Sequence, residues 1–232
     1  MASLNQILVF AAHPDDEVLG CGGTIARHVQ EGDNVAVTIL AEGITSRSVV
    51  PGPSDQLVDE LSALAQSARS ANRILGVAHL ELLSFPDNRM DAVPFEEVLS
   101  IVRERLQRWK PRVVYTHHGG DVNVDHRIIH EAVVRACATA PWVEELLCFE
   151  VPSSTEWQPA ALGSPFLPDV FVEVSDSLKL KMEALRAYAS EMRPFPHARS
   201  FEAVEALARW RGASSGVNAA EAFSLKFRMD LF

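Results

Sequence analysis

A histidine and three carboxylates stand almost side by side in Ala12-His13-Pro14-Asp15-Asp16-Glu17. The apolar run Ile7-Leu8-Val9-Phe10-Ala11 leads into them, and Gly20-Cys21-Gly22-Gly23 follows. Buried charge is costly unless it is paired or bound to a metal, so such a cluster at the end of a core strand points to a metal site. His13 and Asp16 can turn towards one point if the backbone bends between them, and Pro14, with its fixed φ, favours that bend. Far along the chain, His126 would complete a set of two histidines and one carboxylate. Three protein ligands with an open position is the catalytic zinc pattern, and the same donors suit ferrous iron. Asp15, between the two ligands, should point away from the metal and be free to take a proton from water, whose pKa a metal lowers to roughly 7. Glu17 is expected to cap the following helix or to support His13. Taken alone, the motif also reads as a turn and helix cap.

These residues need a scaffold that brings residue 126 to residue 13. Residues 6–12 are too short and apolar for anything but a strand covered on both faces. A helix over 19–30 stops at Gly32-Asp33, and the β-branched stretch 34–41 is a second strand. After a breaker-rich loop that carries Arg47, the pattern predicts a helix over 55–75, a strand over 79–83, a turn at 86–89 and a helix over 95–109 that Pro111 ends. A strand over 112–116 empties into His117 to His126, followed by a helix to about 138 and a strand over 146–151. Another strand is expected at 170–174, with C-terminal helices (about 176–226) packed on or beside the site. Strands alternating with helices indicate an α/β fold with a mainly parallel sheet. Ligands in such sheets bind beyond the carboxyl ends of the strands, where both polar stretches lie. Gly20 to Gly23 fails the dinucleotide fingerprint because Ile25 takes the last glycine position, so these glycines are read as close helix packing. His117, His118, His130 and His197 read individually as structural.

The 232 residues carry 31 acidic against 21 basic side chains, a net charge of −10. This balance repels a phosphate backbone and argues against nucleic acid as a partner. One domain over 1–232 is expected. Three cysteines (Cys21, Cys137 and Cys148) without ligand spacing read as buried thiols of a reducing compartment. The N-terminal apolar run is too short for a signal peptide or membrane span, so a cytoplasmic location is expected.

The opening strand with Ala12 to Glu17, followed by Gly20-Cys21-Gly22-Gly23-Thr24, resembles the zinc-dependent deacetylases called LmbE-like or PIG-L, which act on N-acetylglucosamine-type sugars. Asp125-His126-Arg127, opening the helix after the fourth strand, matches a second feature of that family. The resemblance implies a Rossmann-like three-layer sandwich, zinc held by His13, Asp16 and His126, and Asp15 as general base, with Asp125 in the catalytic set. It also implies that Asp87, in Phe85-Pro86-Asp87-Asn88, bonds a sugar hydroxyl. Arg47 reads either as a substrate contact or as a solvated surface arginine, and His197, with Arg193 and Arg199, either lines the mouth of the site or packs.

One departure concerns Asn123. Many members carry a histidine there, which stabilises the oxyanion or protonates the leaving amine. Asparagine can donate a hydrogen bond but cannot act as an acid, so proton delivery falls to Asp15, His117, His118 or His197. The expected activity is removal of an N-acetyl group from a small sugar or glycoconjugate. A metal-dependent hydratase or lyase acting on an unsaturated carboxylic acid is the alternative. A metal-stabilised binding protein without turnover is a third reading, disfavoured because it has no use for Asp15. The apolar faces of the last helices leave room for a homo-oligomer.

Overall fold

A computed structural model describes residues 5–47, 55–159 and 163–229. Its centre is a seven-stranded sheet of β1 (Gln6–Ala11), β2 (Asn34–Ala41), β3 (His79–Phe85), β4 (Val113–His117), β5 (Glu145–Phe149), β6 (Val170–Glu173) and β7 (Ala220–Arg228). The strands lie in the order β3-β2-β1-β4-β5-β7-β6. The first five are parallel, and β7 runs antiparallel to both of its neighbours.

Among the described residues, six α-helices cover the two faces: α1 (Asp16–Gln30), α2 (Asp55–Leu75), α3 (Phe95–Trp109), α4 (Val124–Cys137), α5 (Leu178–Ala187) and α6 (Phe201–Ser215). Successive strand side chains point to opposite faces, and β1 shows both. Ile7, Val9 and Ala11 pack into the core beneath α1, α2, α5 and α6, whereas Leu8 and Phe10, with Ala12 just beyond, join the core beneath α3 and α4. This is the expected three-layer α/β sandwich. Among the described residues no helix is long and apolar enough to cross a membrane.

The topology makes the crevice. From β1 the chain passes through α1 to β2 on one side, and from β4 through α4 to β5 on the other, with the two helices on opposite faces. The loops after β1 and β4 therefore part at a switch point, the place where open α/β sheets take ligands.

Two elements differ from expectation. Residues 220–228 form a strand, not the tail of a helical region. Phe223, Leu225 and Phe227 alternate there with Ser224, Lys226 and Arg228, a period of two that fits a strand, and main-chain pairing to β5 and β6 holds it in the sheet. Helix α1 starts earlier, at Asp16, so Asp16 and Glu17 of the polar motif open its first turn and Asp15 is its N-cap.

Within α1, Cys21 is non-helical (φ −145°, ψ 23°) and kinks the helix. The N–H groups of Gly23 and Thr24, next to this kink, donate to the Glu221 carboxylate of β7 at 3.0 and 2.7 Å. Buried Lys181 of α5 neutralises that carboxylate at 2.6 Å and also donates to the Leu19 carbonyl at 2.8 Å. A Cβ on Gly20 would sit 2.3 Å from the Phe149 ring, so only glycine lets this half of α1 lie so close to β5.

Candidate metal centre

The motif turns sharply at Asp15. Asp15 has φ 112°, left-handed backbone that a non-glycine residue adopts only under constraint. The turn directs the carboxylate of Asp16 back towards His13. Asp16 Oδ2 accepts the His13 backbone N–H at 2.9 Å and lies 3.1 Å from His13 Nδ1, 3.1 Å from His126 Nε2 and 3.7 Å from His117 Nε2. One atom each from His13, Asp16 and His126 falls within 4.8 Å of the others. Spacing suggests His13 with Asp16, and the place of His126 at the start of the helix after the fourth strand adds it; the fold brings the three together beyond the ends of β1 and β4.

The donors fit a divalent metal. Neither ring nitrogen of buried His126 makes an aligned hydrogen bond among the described residues, although Nε2 points into the cluster. His13 uses its far nitrogen, Nε2, on Asp125 Oδ2 at 3.0 Å, which leaves Nδ1 for the cluster. His126 likewise turns Nδ1 to Asp121 Oδ2 at 3.2 Å. Carboxylates behind ligand histidines fix tautomer and ring orientation at metal centres. His13, Asp87 and Asp125 form another close group, but its carboxylates are taken by protein donors. Asp125 accepts from the backbone N–H groups of Asn88 and Met90, and Asp87 from the N–H and hydroxyl of Ser46.

Charge follows the geometry. Burial works against ionised His13, yet the carboxylates of Asp125 and Asp16 overcome it and raise its pKa to about 10. His126 behaves alike: burial opposes its charge, and Asp16 and Asp121 bring it to about 9. Burial also disfavours ionised Asp16, but the facing histidines hold that carboxyl well below the usual range. Asp15 is pushed up to about 8, chiefly by burial, despite the guanidinium of Arg199.

The remaining predicted residues divide. Asp125 is fully buried and orients His13. Asp87, expected to meet a sugar hydroxyl, is turned inward instead, 2% exposed and 3.2 Å from His13 Nε2. Asn123 caps α4: its Oδ1 accepts from Asp125 N–H and its Nδ2 donates to Asn88, both at 2.8 Å. Among the described residues Glu17 makes no hydrogen bond with His13. It accepts from the Asp15 N–H, from Asn72 and from the Tyr188 hydroxyl. His197 is exposed, with Nδ1 accepting the Arg199 N–H. Arg47 closes a short 3₁₀ turn, and its side chain lies outside the described residues.

His117 and His118 each engage a backbone group through Nε2. His117 Nε2 accepts the Ala12 N–H at 2.8 Å, and its ring stacks on His126; burial drives its pKa well down. His118 Nε2 donates to the Ser164 carbonyl at 2.9 Å. Asp121 has no expected role in the sequence, and Arg199, open between lining the mouth of the site and packing, reaches the centre. Asp121, itself bonded by the Ser154 and Thr155 hydroxyls, backs His126. Arg199 donates from Nη1 to Asp15 Oδ2 at 2.9 Å.

The family profile described as PIG-L, GlcNAc-PI de-N-acetylase, matches residues 8–137, which contain every proposed ligand. This chain belongs to the PIG-L family. An uncharacterised deacetylase, YaiS of Escherichia coli K12, is 30% identical over 79% of this chain and 90% of its own. The 1D-myo-inositol 2-acetamido-2-deoxy-alpha-D-glucopyranoside deacetylase of Mycobacterium sp. strain JLS is 27% identical over 84% of this chain and 77% of its own. Among solved structures, the 4-carboxy-2-hydroxymuconate hydratase GalB of Pseudomonas putida superposes with a TM-score of 0.79. It is 21% identical, covers 99% of both chains, and speaks for the shared fold alone.

Proposed function

We propose that this PIG-L family chain is a metal-dependent hydrolase that removes the N-acetyl group from a small N-acetylated amino sugar or glycoconjugate. The observation that carries the reading is the convergence of His13 Nδ1, Asp16 Oδ2 and His126 Nε2 beside Asp15. Family relatives that act on N-acetylated glucosamine conjugates support the substrate class. The donor set suits zinc, and ferrous iron shares it. Such an ion, when bound, polarises a carbonyl and lowers the pKa of water to roughly 7.

In this reading Asp15 takes the proton of the water that attacks the acetamide carbonyl carbon. The tetrahedral adduct then loses its C–N bond, and Asp15 returns the proton to the departing nitrogen, giving acetate and a free amine. His117 and His118 each engage a backbone partner through Nε2, and His197 is exposed with Nδ1 on the Arg199 N–H, so Asp15, beside the ligand set, carries the proton where Asn123 cannot act. Asn123 gives one amide proton to Asn88, and the other serves the developing oxyanion. Asp125, Asp121 and Asp87 hold the histidines. The whole chain acts as one catalytic unit, because α5 and the loop before α6 reach the motif.

The test is acetate release from a panel of N-acetylated amino sugars, with and without chelator. Release that chelator stops and added zinc restores is expected. Water addition to an unsaturated carboxylic acid, with no acetate from any sugar, would replace this reading with the hydratase.

A further inference from the structure

Asp15 is held at both ends by a segment far from the motif in sequence. At its backbone, the left-handed turn (φ 112°) is closed by its own N–H donating to Glu17 Oε2 at 3.1 Å. Fully buried Glu17 is fixed in turn through Oε1, which accepts the Tyr188 hydroxyl at 2.7 Å and Asn72 Nδ2 at 2.8 Å. At its side chain, Asp15 Oδ2 accepts Arg199 Nη1 at 2.9 Å, and Arg199 Nε donates to Ser153 Oγ at 3.1 Å. Tyr188 follows α5 and Arg199 precedes α6. The connection between these helices thus reaches the base twice, and both contacts lie outside the stretch 8–137 that the family profile matches.

We propose that Arg199, and Tyr188 acting through Glu17, are positioning residues that aim Asp15 for proton transfer. The inference rests on the hydrolase reading. A strained residue keeps its conformation only where its surroundings over-determine it. Nothing in the backbone of an L-aspartate favours φ 112°, and an unconstrained carboxylate would swing among rotamers. The charge-assisted bond from Arg199 selects one orientation. Neither residue is a metal donor, so their loss acts on the base and spares the ligands.

The experiment compares Arg199→Ala, Tyr188→Phe and wild type for kcat, KM and bound zinc, with Arg193→Ala as control on the same loop. Misplacing a catalytic group by a fraction of its reach costs roughly 10–100-fold. Arg199→Ala is expected to lose kcat by that factor, with KM and zinc content unchanged, and to recover part of it when guanidinium is added. Arg193→Ala is expected to match wild type. A rise in KM at constant kcat would make Arg199 a substrate contact and overturn the proposal, as would kcat within twofold of wild type. A turnover-free arm reads amide exchange at Asp15 by NMR: Tyr188→Phe should speed it by about tenfold or more, and unchanged exchange contradicts the clamp. If wild type releases no acetate, the hydrolase reading fails by itself, and the exchange arm still decides whether the clamp exists.

Discussion

Each proposed ligand histidine presents one nitrogen to the cluster and the other to a buried carboxylate: Asp125 for His13 and Asp121 for His126. The meeting of His13 and Asp16 was legible because histidine and aspartate three apart, with proline between, have few other uses at the end of a core strand. Asp121 was not legible, since a lone acid in a loop of Gly, Asp, Val and Asn looks like any turn residue. Its role exists only because the hydroxyls of Ser154 and Thr155 lock its carboxylate towards His126. Replacing Asp121 by Asn keeps an acceptor for those hydroxyls and removes the charge. Asp121→Asn should therefore weaken zinc binding by about 10–100-fold while leaving the far-UV circular dichroism as in wild type. Competition against a chromophoric chelator measures the affinity.

At the scale of elements, β2, α2 and α3 follow the boundaries read from the sequence, because apolar periodicity and clear stops agree there. Strand β7 escaped because a nine-residue segment at the end of the chain draws its identity from partners on both sides. Its alternating Phe223, Leu225 and Phe227 were the available signal. The strand also delivers Glu221 to the kink of α1, where Lys181 completes a buried pair with both side chains 4% exposed. Removing one member of such a pair strands the other charge in the core. Lys181→Met is expected to destabilise the fold by about 3–5 kcal/mol, read as a lower urea midpoint at unchanged slope. Because that kink orients the half-helix carrying Asp16, this variant should also bind zinc less tightly.

Across the whole molecule, the strand order alone brings the two halves of the site together. The crossover after β1 and the one after β4 leave on opposite faces, and their loops meet at the switch point. That much was legible from alternating strands and helices. The hold on Asp15 from Arg199, 184 residues away, was not, since no local pattern marks so distant a contact. The net charge of −10 disfavours a polyanion as ligand. The central claim is that His13, Asp16 and His126 hold the metal while Asp15 moves the proton, and one variant separates these tasks. Acetate release by zinc-loaded Asp15→Asn is the most direct measurement. With one equivalent of zinc retained, the rate should fall by about 100- to 10,000-fold. Acetate released as fast as by wild type would contradict the assignment of Asp15, and with it the account of the site.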